Sequence, residues 1–199
     1  MWAKLRILIL QLTLISLSGA IDYKFNMDED GIFVPCEGQP GNPTNIDEAL
    51  DMSKLHVSNS NGFLEVGGEV PVIWKGVQPG DTITLLGQIY RMERNTWQKA
   101  MFSASSRNFC RNMFEKGQYW HQFWTKYIIN SDEIKSKCLN TPGAVIKMEN
   151  YQVELRANLN VPSMDGRYKL VIMIEAFDKS HTKRPVSICT EIRGNIVRA

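Results

Sequence analysis

Few residues in this 199-residue chain have the type and spacing for bond-making chemistry. The cysteines are Cys36, Cys110, Cys138 and Cys189, and the histidines are His56, His121 and His181. No two cysteines stand as Cys-x-x-Cys, and no histidine has ligand-like spacing to a cysteine or to another histidine, so no zinc site is expected. An even cysteine count reads instead as two disulfides if the chain matures in an oxidising compartment, with three possible pairings. The nested pairing, Cys36 with Cys189 and Cys110 with Cys138, is the expected one, because it ties both ends of the domain together and separately clamps its middle. In the chain-entropy model the two bridges contribute roughly 5 and 3.5 kcal/mol.

Two other constellations carry possible chemistry. Asn26-x-Asp28-x-Asp30-Gly31, with Glu37 beyond it, nearly reproduces a calcium-binding loop. Such a loop needs a helix on each side, whereas Ile21 to Phe25 reads as a strand and Pro35-Cys36 occupies the loop's end; the acidic run is therefore expected to be a turn without metal. Gly-x-Ser-x-Gly, His-Glu-x-x-His, the phosphate-binding loop and the dinucleotide glycine fingerprint are all missing. Only His121, inside an aromatic segment, qualifies as a general base, and its plainer reading is a polar-face helix residue. No catalytic residue and no cofactor is expected.

The elements that would position a site follow from the compartment and the periodicity. Met1 to Arg6 carries two positive charges, Lys4 and Arg6, Leu5 to Leu17 is almost wholly apolar, and Ser18-Gly19-Ala20 supplies small residues for a signal peptidase. At about 13 residues the run is short of the roughly 20 that span a bilayer. A signal peptide over residues 1–20 and an extracellular, secreted domain over 21–199 are expected. Without Lys4 and Arg6 the chain has 21 residues of each charge sign, so it lacks a basic field for nucleic acid. Asn42-Pro43-Thr44 is closed to N-glycosylation by its proline.

Beyond residue 20 the dominant period is two, the mark of strands with one apolar and one wet face. Tyr151 to Leu159 is expected to be one such strand, with Tyr151, Val153, Leu155, Ala157 and Leu159 on its apolar side. Tyr168 to Asp178 repeats it through Tyr168, Leu170, Ile172, Ile174 and Ala176, and Val186 to Val197 through Val186, Ile188, Ile192 and Ile196. Ile21 to Phe25, Leu55 to Ser58, Phe63 to Trp74 with a bulge at Gly67-Gly68, Thr82 to Met92 and Trp97 to Ser103 also read as extended. Turn residues at Asn61-Gly62, Pro79-Gly80-Asp81, Asp165-Gly166 and Lys179 to Pro185 separate them. The pattern is mainly β: an antiparallel β-sandwich rather than βα units.

Ser105 to Ile129 breaks the period. Trp120, Phe123, Trp124 and Tyr127 fall at i, i+3, i+4 and i+7, a helical stripe that Gly117 interrupts from the preceding turn with Phe109, Met113 and Phe114. An aromatic-rich helical insertion is expected, either packed on a sheet as core or closing an apolar pocket at the open end of the sandwich.

Taken in order, Asn108-Phe109-Cys110-x-x-Met113-Phe114, Trp120 to Tyr127, Cys138-Leu139 with Gly143, Gly166-x-Tyr168-Lys169-Leu170 and Cys189-x-Glu191-Ile192-x-Gly194-x-Ile196 resemble the insect CheA/CheB-type chemosensory proteins. These are distantly similar to the ganglioside-activator and ML-type lipid-recognition domains. The resemblance spans about Tyr23 to Val197 and implies a secreted β-cup, Ig-like or ML-like, that holds a small hydrophobic ligand, lipid or pheromone-like, without being an enzyme. A membrane receptor or ion channel is the partner such a presenter would serve. Phe109, Met113, Trp120, Phe123, Trp124, Tyr127, Tyr151, Leu155, Tyr168 and Leu170 are the residues expected to contact the ligand. A lipid-extracting cofactor for a hydrolase or receptor is the alternative, and a secreted hydrolase using His121 a third reading.

Overall fold

The computed structural model describes residues 20–60, 63–161 and 163–199; the expected signal peptide lies almost wholly outside them. Thr82–Glu93 (β5), Gly166–Phe177 (β9) and Ile188–Arg198 (β10) form the middle of the larger sheet. Thr96–Ser106 (β6) extends it on one side, and Ile21–Met27 (β1) and Arg156–Leu159 (β8) on the other, in the order β6-β5-β9-β10-β1-β8. A two-residue strand, Val34–Pro35 (β2), also pairs with β10, setting Val34 opposite Glu191. Leu55–Ser60 (β3), Phe63–Pro71 (β4) and Val145–Val153 (β7) form a second, three-stranded sheet. Every pair of these strands is antiparallel. The architecture is a mainly-β sandwich or cup with a small helical insertion; the alternation and turns foretell its antiparallel sandwich and the aromatic stripe its insertion.

The expected bulge is present: the β4–β7 register shifts between Val66 and Gly68. Gly68 has φ +116°, and a Cβ there would stand 2.2 Å from the Lys54 carbonyl oxygen. Only glycine satisfies both conditions.

Two expectations about elements are overturned. Tyr151 to Leu159 is not one strand: β7 ends at Val153 in the smaller sheet and β8 begins at Arg156 in the larger. At the crossing, the Leu155 carbonyl accepts the Phe25 N–H at 2.8 Å, and the Arg156 N–H reaches the Glu154 carbonyl at 3.0 Å. Alternation reports which side a residue faces but not which sheet it joins, so the crossover left no trace in the period; Ala157, assigned to the apolar side, is exposed.

Nor is the stripe from Trp120 to Tyr127 one unbroken helix. β6 runs on to Ser106, followed by Phe109–Asn112 (α1), Tyr119–Phe123 (α2) and a 3₁₀ turn at Thr125–Tyr127. The backbone leaves the helical region at Trp124 (φ −140°, ψ −70°), and the buried Thr125 hydroxyl donates to the Met113 carbonyl at 2.6 Å. A further helix, Ser131–Lys137 (α3), ends at Cys138. The disulfides are Cys36–Cys189, beside β2 and β10, and Cys110–Cys138, joining α1 to the end of α3.

The interior is divided into two clusters. The larger lies where the helical insertion and the small sheet meet one end of the large sheet, around Trp74, Ile83, Phe109, Met113, Ile134, Ile146 and Ile188. The smaller gathers Tyr23, Met164 and Tyr168 at the other end. No helix among the described residues is long and apolar enough to cross a membrane.

Candidate ligand-binding cleft

Antiparallel register decides which side chains share a face, because directly opposed residues point the same way. Ile89 opposes Leu170, and Leu170 opposes Ile192. One step along, Gly87 opposes Ile172 and Ile172 opposes Thr190; in the other direction Tyr168 opposes Gly194, which opposes Met27. These rows lie on the inner face, and they include the inward residues of both core clusters.

Their burial is uneven. Ile83, Ile174 and Ile188 at one end and Tyr168 at the other are buried, whereas Ile89, Leu170, Ile172 and Ile192 between them are only half-buried. Leu170 and Ile192 belong to neither cluster. Both strands are internal to the sheet, so their exposure is not that of a sheet edge. A strip of aliphatic surface therefore stays uncovered between the clusters, continued by half-buried Phe25, Phe102 and Ile196. Gly87 keeps its floor low: a Cβ there would touch Leu170 Cδ1 at 3.4 Å. An apolar strip with few polar groups is the lining that a small hydrophobic molecule needs.

The expected contact residues are distributed over five places. Phe109 and Met113 are fully buried in the larger cluster, with half-buried Trp120 and Trp124 packed against it. Phe109 meets Trp120 edge-on at 5.4 Å and stacks on Trp124 at 6.1 Å, while the Trp120 indole donates to the Asn112 carbonyl at 3.1 Å. Tyr127 stacks on Tyr151 at 3.7 Å, and the Tyr151 hydroxyl donates to the carbonyl of half-buried Phe123 at 3.2 Å. Burial, with Tyr127 adding to it, pushes the Tyr151 phenol up to about 12. Leu155 is half-buried at the crossing between sheets, Tyr168 is buried in the smaller cluster, and Leu170 lies in the uncovered strip. Of the ten, only Leu170 is on the strip itself, and Tyr168 borders it.

Ile89, Ile192, Phe25, Phe102 and Ile196 were not among the expected contacts, although all lie in segments that read as strands. Alternation gave Ile192 and Ile196 an inward face; their position beside Leu170 depends on strand order.

Two more recesses open on the small sheet, one of about 680 Å³ beside His56, Glu65, Val66, Asn150, Tyr151 and Gln152, and one of about 250 Å³ beside Glu29, Ile32, Val57, Ser58 and Asn59. Their linings mix polar and apolar surface, whereas the strip between the clusters is lined by aliphatic side chains.

Charged groups are committed to one another. The Arg167 guanidinium holds both oxygens of Asp28, so the leading acid of the calcium-like run is paired to a cation and the run itself begins inside β1. On the outer face, fully buried Glu191 accepts from Lys169 Nζ at 2.7 Å and from Arg193 Nε at 2.9 Å. Lys169 also sits over the Trp97 ring at 5.1 Å. His121 is half-buried in α2, and its imidazole makes no hydrogen bond among the described residues. No protein-family model matches the chain, and no curated protein matches it.

Proposed function

We propose that this protein is a secreted, non-enzymatic binder or presenter of a small hydrophobic ligand, held on the inner face of the larger sheet. The observation that carries this reading is the half-exposure of Ile89, Leu170, Ile172 and Ile192 on internal strands between two separate buried clusters. A sandwich closed for stability alone covers such positions, since each buried aliphatic side chain contributes about 1.5–3 kcal/mol. A ligand's apolar body restores that contact. The two disulfides suit an extracellular setting, and the resemblance to chemosensory proteins favours a lipid or pheromone-like ligand passed to a membrane receptor or channel.

The test is displacement of an apolar fluorescent probe, with native mass spectrometry of the secreted protein for co-purifying lipid. Leu170→Gln and Ile192→Gln should each weaken probe binding about five- to thirtyfold, the equivalent of roughly 1–2 kcal/mol of lost apolar contact. Their melting temperatures should fall only slightly, because the new amide reaches the solvent that already wets the strip. Wild-type protein that binds no probe and carries no lipid, or folded variants with unchanged affinity, would refute the proposal.

A further inference from the structure

One end of the strip finishes on two phenols whose hydroxyls the fold leaves without proper partners. Tyr23 of β1 is 2% exposed and Tyr168 of β9 is 3% exposed, both in the smaller cluster. By register both stand on the inner face, Tyr168 opposite Gly194 and Tyr23 two residues from Phe25, which opposes Ile196. The Tyr23 hydroxyl is buried and has no hydrogen-bond partner among the described residues. The Tyr168 hydroxyl meets only the Met164 thioether, at 3.9 Å, a weak acceptor. Burial raises the Tyr168 phenol above its ordinary value, and Tyr23, Met164 and Tyr168 pack together as one buried cluster.

Folding does not account for these hydroxyls. Phenylalanine fills nearly the same volume, and a buried donor without an acceptor costs free energy comparable to a lost hydrogen bond. The residues packed on the two rings include Phe25, Ile89 and Ile196, which also continue the strip. The pair thus combines apolar walls with two neutral donors in one cluster.

We infer that Tyr23 and Tyr168 form the polar end of the cleft and donate hydrogen bonds to a neutral carbonyl oxygen at the head of a long aliphatic ligand, an ester or ketone. This deepens the proposed function and rests on it. A carboxylate head is a poorer fit. Two cations share this face: Arg91, 5.8 Å from the Tyr168 ring, is engaged by the Asp165 carbonyl at 3.0 Å and by Glu93 at 4.0 Å, and Arg198, opposite Tyr23, is paired with the Asp165 carboxylate at 3.3 Å. Two neutral phenols do not repay the burial of a full negative charge.

The experiment compares tetradecane, methyl tetradecanoate and tetradecanoate as competitors for a fluorescent probe on the full-length secreted protein. Methyl tetradecanoate should displace the probe at about tenfold lower concentration than tetradecane, the factor that about 1.4 kcal/mol supplies, and tetradecanoate should gain no such factor. In Tyr23→Phe/Tyr168→Phe the preference for the ester should shrink to within about twofold, with tetradecane affinity unchanged and the melting temperature not lowered. The inference is overturned by an ester no better than the alkane, by an equal gain for tetradecanoate, by a preference that survives in the double variant, or by a clear loss of stability on removing the hydroxyls. Binding of the alkane without any gain for the ester removes the anchor alone; failure of all three competitors removes the cleft with it.

Discussion

Replacing Glu191 with alanine should be among the most damaging single changes to this fold. Its carboxylate is completely shielded from solvent and takes charge-assisted hydrogen bonds from Lys169 Nζ at 2.7 Å, Arg193 Nε at 2.9 Å and Arg193 Nη2 at 2.8 Å. Among the described residues Lys169 has no second acceptor: the Trp97 and Tyr90 rings lie 5.1 and 5.8 Å from its ammonium and offer only their π faces. Arg193 is better placed, with Glu37 at 3.4 Å and a quarter of its side chain in solvent. Loss of Glu191 thus strands one buried cation outright, at a cost of about 3–5 kcal/mol. For a domain of this size that lowers the melting temperature by roughly 6–20 °C. Glu191→Gln keeps the shape but not the charge and should lose about 1.5–3 kcal/mol. Lys169→Met/Glu191→Leu removes both buried charges and should recover most of the loss, as a double-mutant cycle would show. Urea denaturation measures all three, with an unchanged m-value as the control. A Glu191→Ala loss below about 1 kcal/mol, or a double variant worse than the single, would refute this account of the outer face.

Trp120→Ala and Trp124→Ala, which undo the packing around Phe109, should each cost about 3–5 kcal/mol and reduce secretion, while any folded fraction keeps its probe affinity; modest stability loss with weakened binding would instead place these rings on the ligand. Hydrogen bonds from the Arg184 guanidinium, partly opposed by burial, hold the Asp81 carboxyl below the ordinary carboxylate range. Because its folded pKa is depressed, its contribution is fully present above the unfolded value near 3.8 and is lost as pH falls through the folded one. Asp81→Asn should therefore be less stable than wild type at neutral pH and flatten the acid limb of a stability–pH curve; parallel curves for the two proteins would contradict the pairing.

Local chemistry in the chain was enough to determine the kind of fold. Period-two alternation from Thr82 to Met92, Tyr168 to Asp178 and Val186 to Val197 specifies half-buried strands, because each successive side chain must point to the opposite face. The glycine pair at Gly67-Gly68 marks the bulge, since only glycine tolerates a positive φ with a carbonyl so near. The nested cysteine pairing is the one the fold adopts. Pairing and sheet membership, by contrast, are long-range facts. Nothing in Tyr151 to Leu159 announces that the chain changes sheets after Val153, and nothing in the helical stripe announces that Trp124 breaks it. Lys169 and Glu191 read as the wet side of their strands, yet both are buried, with the aromatic rings of β5 and β6 beside Lys169. The cleft depends most on tertiary structure. Ile89, Leu170 and Ile192 come from three strands distant in sequence, and their juxtaposition and partial exposure arise only from strand order and from where the second layer stops. A sequence encodes the faces of its strands residue by residue; which faces remain uncovered is a property of how the two layers meet.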